Sequence, residues 1–211
     1  MAAQTPRFNV ASVLAALKIP AANVLCVYVI GSRSWGTSRD TSDYDFVIVT
    51  SGLASSGSGS ALHARNINAK LIDRDEYLQR IRAHRLLELS TLWLPVESKW
   101  IERLRGAEHF ELQRATLSAS IDTECAKDWS RIRKMLLEHN DLPGAKKTLV
   151  CAIRNCLLAL QLLEHGRIVD YTCANEHRHE LMHYYETDWQ AWDDTYGSLL
   201  RDLQRQIRGD A

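Results

Sequence analysis

Apolar residues recur at helical spacing and then in strand-like runs through the first part of the chain. Positions 9–18 carry apolar residues at helical spacing and end before Pro20, which predicts an opening helix. The β-branched run Val24–Ile30 and the apolar run Tyr44–Thr50 each predict a buried strand. A third strand is expected over residues 64–72.

Helical spacing returns after the third strand. It predicts a helix over residues 74–84 and a shorter one over residues 86–92, before Pro95 breaks the pattern. Residues 51–60 are rich in glycine and serine, which predicts a flexible hairpin loop.

The pattern becomes wholly helical from about residue 108 onward. Three long helices are predicted over residues 110–139, 144–165 and 175–208. The expected fold class is therefore α+β, with a small mixed sheet and flanking helices in residues 1–107. A C-terminal helical bundle that closes the cleft is expected in residues 108–211.

Composition adds the cellular setting. Lys plus Arg equals Asp plus Glu, 26 each, so the chain lacks the overall basic field that drives non-specific nucleic-acid binding. Of the five cysteines, Cys26, Cys151 and Cys156 fall in apolar runs, which favours buried thiols in a reducing compartment. The apolar runs are too short to span a bilayer, so a cytoplasmic protein without a membrane partner is expected.

The candidate chemistry lies between the two predicted strands. A tight turn at Gly31 and Ser32 exposes backbone N–H groups that suit phosphate oxygens, and Arg33 adds positive charge there. Strand alternation puts Asp43 and Asp45 on the same side, where two carboxylates repel unless a cation such as Mg²⁺ lies between them. The plainer interpretation is a hairpin with a turn glycine and two exposed aspartates.

These residues form one ordered motif. It is Gly31-Ser32-Arg33-x-x-Gly36-Thr37 followed by Ser42-Asp43-x-Asp45. The motif resembles the Gly-Ser-Arg-x-x-Gly…Ser-Asp-x-Asp motif of predicted nucleotidyltransferases in the DNA polymerase beta superfamily. The resemblance implies a nucleotidyltransferase palm, and transfer of a nucleoside monophosphate from an NTP, with ATP expected, to an acceptor hydroxyl with pyrophosphate release. It also implies that Asp43 and Asp45 hold Mg²⁺ or Mn²⁺, and that the Gly31–Arg33 turn and Ser42 bind the nucleotide.

The family normally supplies a third catalytic carboxylate on the next strand. Here Asn68 falls best at that position, on the face opposite the alternating apolar residues. An amide oxygen can ligate a metal but is no base. Three explanations are open: a native departure in a nucleotide-binding pseudoenzyme, an introduced substitution, or a register in which Asp73 or Asp75 supplies the acid.

Two basic residues in the helical half are further candidates. Lys147 and Arg154 are seven residues apart, which is two helical turns, so they point the same way. They resemble the start of the family's C-terminal helix, and facing the cleft they would neutralise triphosphate charge. The alternative is a solvated basic edge.

A competing motif lies near the C-terminus. His179-Glu180-x-x-His183 matches the zinc-protease pattern, in which two imidazoles on one helical face bind Zn²⁺. The glycine and third histidine of the extended motif are missing. A remote alternative is therefore a zinc site at His179 and His183, either catalytic or structural.

The sequence leaves the class of acceptor open. A small molecule, an RNA end or a protein hydroxyl would each fit, and the neutral net charge argues against a long nucleic acid. Trp35 either supports the active loop or lines the acceptor cleft. The alternative from another class is a non-catalytic nucleotide sensor, which Asn68 favours.

Overall fold

The structure is a computed structural model that describes residues 8–52, 60–104 and 110–210. The described chain divides into two units. The first contains residues 8–52, 60–80 and 94–104, and the second contains residues 81–93 and 110–210. Residues 81–93 therefore belong to the second compact unit, although they precede the predicted domain boundary at residue 107.

A five-stranded mixed sheet forms the first unit. Its strands are β1 (Val24–Ile30), β2 (Tyr44–Thr50), β3 (Ser60–Ala64), β4 (Ile67–Asp73) and β5 (Lys99–Glu102). They lie in the order β3-β4-β2-β1-β5, and β2 and β4 run parallel while the other pairs are antiparallel. The predicted strands β1 and β2 are confirmed at both ends.

The opening helix packs on one of the two apolar faces of this sheet. Helix α1 (Val10–Ala16) begins at Asn9, whose side chain accepts from Ser12 N while the Ser12 hydroxyl accepts from Asn9 N. Its buried Val13 and Leu14 belong to the same core cluster as alternate residues of the sheet. The sheet residues are Val24, Val27, Val29, Tyr44, Phe46, Ile48, Ile67 and Ala69. This cluster lies on one face of the sheet. The opposite face is buried as well, since Tyr28, Val47 and Val49 alternate with the cluster residues and are at most 2% exposed.

The predicted third strand is partly right. Strand β4 confirms its C-terminal part, but Ala64 belongs to β3, which pairs with β4 through a two-residue turn at Arg65 and Asn66. Arg65 takes the left-handed conformation this turn requires, with φ at +50°. Residues 53–59 of the predicted loop lie outside the described residues. Strand β5 was not predicted, because its four residues, three half-buried and one exposed, give too short a pattern.

The helices that follow the sheet agree closely with the predicted ones. Helix α2 (Arg74–Arg82) follows β4 directly, and α3 (Leu86–Ser90) comes next in the chain. The long helices α4 (Arg114–Leu137) and α5 (Leu142–His165) pack against each other in the second unit. Within the described part of the chain, no helix is both long enough and apolar enough to cross a membrane.

The single helix predicted over residues 175–208 is wrong. The structure has three helices there, α6 (Asn175–Met182), α7 (Trp189–Trp192) and α8 (Ser198–Arg208), and a π-helical turn separates the last two. Between α6 and α7, the Glu186 carboxylate accepts from two backbone N–H groups just after it. Such local side-chain bonds compete with helix formation, and they stop the helix despite its apolar spacing.

Candidate active site

The turn after β1 brings a carboxylate onto the backbone. Gly31 has a φ of +72°, which favours glycine, and a Cβ built at this position would collide with Asp45 Oδ2 and lie 3.2 Å from Asp45 Cβ. The absence of a side chain at Gly31 therefore lets the Asp45 carboxylate lie directly against the turn. This close approach joins the predicted phosphate loop to the predicted metal ligand.

The loop that follows is tied back to the end of β1. The Ser34 hydroxyl donates to Val29 O at 2.8 Å, and the backbone N–H groups of Ser34 and Trp35 both donate to Gly31 O. Ser32 is half-buried in the short 3₁₀ turn Gly31–Arg33. These bonds hold the turn in one shape, and the backbone of Trp35 takes part in that support.

Arg33 fastens the other end of the same loop. Its Nη2 donates to Ser42 O at 2.9 Å, and its guanidinium carbon lies 3.5 Å from the centroid of the Tyr44 ring. Ser42 in turn accepts at its hydroxyl from Arg39 N at 2.8 Å. The bond between Arg33 and Ser42 therefore positions Asp43, which lies between Ser42 and the first residue of β2. Their direct contact with a nucleotide stays a prediction.

Three polar residues face one another across the sheet. The parallel pairing of β2 and β4 sets Asp45 opposite Asn68, and the antiparallel pairing of β3 and β4 sets His63 opposite Asn68. Residues directly opposite on neighbouring strands share a face. Asn68 Nδ2 lies 3.0 Å from Asp45 Oδ1 and 3.4 Å from Asp43 Oδ2. The two predicted ligands and the residue at the third position are thus brought together.

The geometry of these residues suits a small divalent cation. Oxygens of Asp43 and Asp45 converge on a single donor, the amide of Asn68, so both carboxylates face one point. Two carboxylates of like charge at one point are a ligand set for Mg²⁺, which takes one or two protein carboxylates together with water and substrate phosphates. Among the described residues no group of three or more His, Cys, Asp or Glu side chains could hold a metal ion. The residues present therefore fit a cation that draws its other ligands from water and phosphate.

The register identifies which residue takes the third position. Asp73 lies opposite Thr50, at the far end of the parallel pair from Asp45 and Asn68. Its Oδ1 accepts from Asp75 N at 2.9 Å, at the start of α2. Neither acid stands beside the paired carboxylates, so Asn68 occupies the third position and the alternative register is wrong.

Lys147 and Arg154 both lie on α5 in the second unit, in different surroundings. The Lys147 side chain is exposed. Arg154 is 2% exposed and donates from Nη2 to Asn175 Oδ1 at 3.1 Å, and burial lowers the pKa of its guanidinium. The contact of both residues with phosphate stays a prediction.

The two histidines of the zinc motif lie at the end of α6. His179 is within the helix, His183 is the residue that ends it, and their ring centroids are 5.3 Å apart. His177 and Glu180, one turn apart on the same helix, approach each other at 3.6 Å. Within the described ranges, this pair belongs to no group of three or more His, Cys, Asp or Glu side chains that could hold a metal ion.

His63 is a site residue that was not predicted from the sequence. Its Nδ1 lies 2.8 Å from Asn68 Oδ1. A signal was available, because Leu62 and Ala64 alternate in the same way as Ile67 and Ala69 across two turn residues. A hairpin with a two-residue loop at that point sets position 63 opposite position 68.

No family model and no curated protein matches this chain. Among solved structures, the chain is similar to a nucleotidyltransferase-like protein from Exiguobacterium sibiricum, with 11% sequence identity and a TM-score of 0.36. The similarity covers 90% of this chain and 72% of that protein. A likeness at this level establishes neither family nor function, so any functional proposal depends on the residues of this chain itself.

Proposed function

We propose that this protein transfers a nucleoside monophosphate from an NTP to an acceptor hydroxyl, with release of pyrophosphate. The observation that carries the proposal is the convergence of Asp43 and Asp45 beside the Gly31 turn and opposite Asn68. The residues that converge are those of the ordered sequence motif, which resembles the motif of nucleotidyltransferases in the polymerase beta superfamily. If the two aspartates were only exposed residues of a hairpin, nothing would require their carboxylates to face one point.

Asp43 and Asp45 are the residues that would hold Mg²⁺ or Mn²⁺. When bound, the cation supplies positive charge that offsets the negative charge of the triphosphate. The turn at Gly31 and Ser32 binds phosphate oxygens through its backbone and the Ser32 hydroxyl. Arg33 acts on the reaction through the loop, since its bond to Ser42 O holds Asp43 in place.

The bond changes are those of an in-line displacement. The acceptor oxygen forms a bond to the α-phosphorus while the bond from the α-phosphorus to the bridging oxygen breaks, and pyrophosphate leaves. The hydroxyl proton passes to water or to a phosphate oxygen, because the neutral amide of Asn68 cannot accept it. Phosphoryl transfer depends chiefly on positioning and charge neutralisation, so the lack of a base at this position slows the reaction without preventing it.

A second candidate function has a specific observation in its favour. The Asn68 amide points its NH₂ group at both carboxylates, in the place where the family carries an acid. A protein with this substitution retains two metal ligands and a phosphate loop but lacks the third charge. Such a protein would bind a nucleotide and act as a sensor without transferring the nucleoside monophosphate.

The acceptor belongs to one of three classes under this proposal: a small molecule, an RNA end or a protein hydroxyl. With Lys plus Arg and Asp plus Glu at 26 each, a long nucleic acid is the least favoured acceptor. The nucleotide is expected to be ATP, by resemblance to the family.

Labelled NTPs with Mg²⁺ and a panel of acceptors test the proposal. Incorporation of label by the chain, abolished in Asp45→Asn and increased by roughly tenfold or more in Asn68→Asp, is the expected result. Label incorporated only by Asn68→Asp would assign the chain to the nucleotide-sensor class. Label taken up equally by Asp45→Asn would contradict the proposed site.

A further inference from the structure

A chain of hydrogen bonds runs across the sheet from His63 to the two carboxylates. His63 Nδ1 lies 2.8 Å from Asn68 Oδ1, and Asn68 Nδ2 lies 3.0 Å from Asp45 Oδ1. Each link joins residues directly opposite in the strand register, so backbone pairing fixes the spacing. His63 is on the opposite side of Asn68 from the acids.

The acids determine the direction of every bond in this chain. Were Asn68 turned over, its Oδ1 would face the oxygens of Asp43 and Asp45 with no proton between them, which is repulsive. The NH₂ group therefore faces the carboxylates and Oδ1 faces His63. Because Oδ1 can only accept, His63 donates from Nδ1.

This arrangement places an amide NH₂ where a cation would lie. A cation held by Asp43 and Asp45 favours the opposite orientation of Asn68, with Oδ1 toward the metal and NH₂ toward His63. The imidazole must then accept at Nδ1 and carry its proton on Nε2. A neutral imidazole is able to do either, so His63 supports both orientations of the amide.

We propose that His63 is a positioning residue: by donating or accepting at Nδ1, it lets the Asn68 amide turn over when Asp43 and Asp45 bind a divalent cation. The hydrogen-bonding capacity of the residue at position 63 thereby tunes the affinity of the two acids for that cation. The inference rests on the proposed function only in that these two acids take a cation. A residue at position 63 that can only accept turns the amide so that its oxygen faces the acids. A residue that can either donate or accept leaves the equilibrium between the two amide orientations unchanged.

Two substitutions separate these cases. His63→Asp places an obligatory acceptor near the position of Nδ1, whereas His63→Asn keeps a group that donates or accepts. Mn²⁺ binding to the full chain without nucleotide, followed by electron paramagnetic resonance, is the measurement. We expect His63→Asp to bind Mn²⁺ about tenfold more tightly than the unsubstituted chain, and His63→Asn to stay within about twofold of it.

The added negative charge of His63→Asp needs its own control. Asn68→Ala removes the amide, so in that background His63→Asp acts on the cation only through charge. We expect its effect on Mn²⁺ affinity to fall below about threefold there, since residue 63 and Asp43 are exposed and their charges are screened by solvent. An equal gain in both backgrounds would overturn the proposal, as would Mn²⁺ affinity unchanged by His63→Asp.

Failure of this inference is distinguishable from failure of the proposed function. Mn²⁺ affinity is measured without an NTP, and transfer is measured with one. A gain confined to the Asn68 background supports the role of His63 whether or not label is transferred. As a second readout, the side-chain NH₂ resonances of Asn68 should shift in His63→Asp and stay close to their original positions in His63→Asn, and the reverse pattern contradicts the proposal.

Discussion

The helical unit and the sheet unit use their polar side chains in opposite ways. In the helical unit, buried polar groups serve the fold. His84 is 2% exposed, donates from Nδ1 to Arg82 O and accepts at Nε2 from Gln113 N, so both ring nitrogens are satisfied. The Tyr171 hydroxyl donates to Ser90 O, and burial raises its pKa. Each group stabilises the unit by meeting the hydrogen-bonding need of a neighbour.

The sheet unit instead gathers like charges at one end of its central strands. Asp43 and Asp45 both approach the amide of Asn68, and the lack of a side chain at Gly31 admits the second carboxylate against the backbone. Such an arrangement costs stability unless something positive binds there. Natural proteins depart from local stability rules mainly at functional sites, so the contrast itself locates the candidate site.

Among the tests of this contrast, substitution of Arg154 has the largest expected effect on stability. Because Arg154 is buried and bonded to Asn175, Arg154→Ala should lower the free energy of unfolding by about 3 kcal/mol, through lost packing and the lost hydrogen bond. The exposed Lys147 is the matched control on the same helix, and Lys147→Ala should change the free energy of unfolding by less than about 0.5 kcal/mol. Urea unfolding measures both.

Equal unfolding free energies for the two variants would contradict the structural role of Arg154. NTP binding by Lys147→Ala then sharpens the comparison. A loss of affinity without a loss of stability would make Lys147 a nucleotide contact, and unchanged affinity would identify it as part of a solvated edge.

The two glycines Gly31 and Gly52 give the next largest effect. Both have positive φ, +72° and +70°, so an alanine at either should lower the free energy of unfolding by about 1–2 kcal/mol. Of these two positions, only Gly31 has a carboxylate against the new Cβ, since no residue that the structure describes lies within 4 Å of a Cβ at Gly52. We expect Gly31→Ala to weaken Mn²⁺ binding by roughly a hundredfold, because it displaces Asp45, and Gly52→Ala to leave it unchanged.

Titration of both variants with Mn²⁺ and their thermal unfolding check this pair. If Gly31→Ala bound Mn²⁺ as well as Gly52→Ala does, Asp45 would not be held by the turn in the way its contact indicates.

The same contrast explains how much the sequence could predict. Strands β1 and β2 and the residues Gly31, Asp43 and Asp45 follow from local pattern and a contiguous motif, so they were predicted. His63 was missed because its role depends on the pairing of β3 with β4, and β3 has a weak pattern of small and polar residues. Side-chain burial depends on which helical face packs, which spacing alone does not determine. The burial of Arg154 was therefore not predictable from its distance to Lys147.

The break in the last predicted helix has a similar origin. Apolar spacing continues through residues 175–208, but Glu186 and Asp188 bond to nearby backbone N–H groups, and Asp188 begins α7 by accepting from Ala191 N. Short-range polar competition of this kind overrides periodicity.

Asp128 on α4 gives the smallest and most specific test, because here the helical unit carries an unfavourable charge. Partial burial, and then the nearby Glu124, raise the pKa of its carboxyl above the ordinary 3.8. Below pH 3.8 the group is protonated whether the chain is folded or unfolded, so it costs nothing. As the pH rises through the folded pKa, the carboxylate must become charged in the folded protein and stability falls.

Asp128→Asn should therefore gain a few tenths of a kcal/mol of unfolding free energy over the unsubstituted chain near pH 7 and progressively less toward pH 3.8. Urea unfolding across this range, with the exposed Glu111→Gln as control, measures the difference, and a gain that shrinks as the pH rises would contradict the assigned cause.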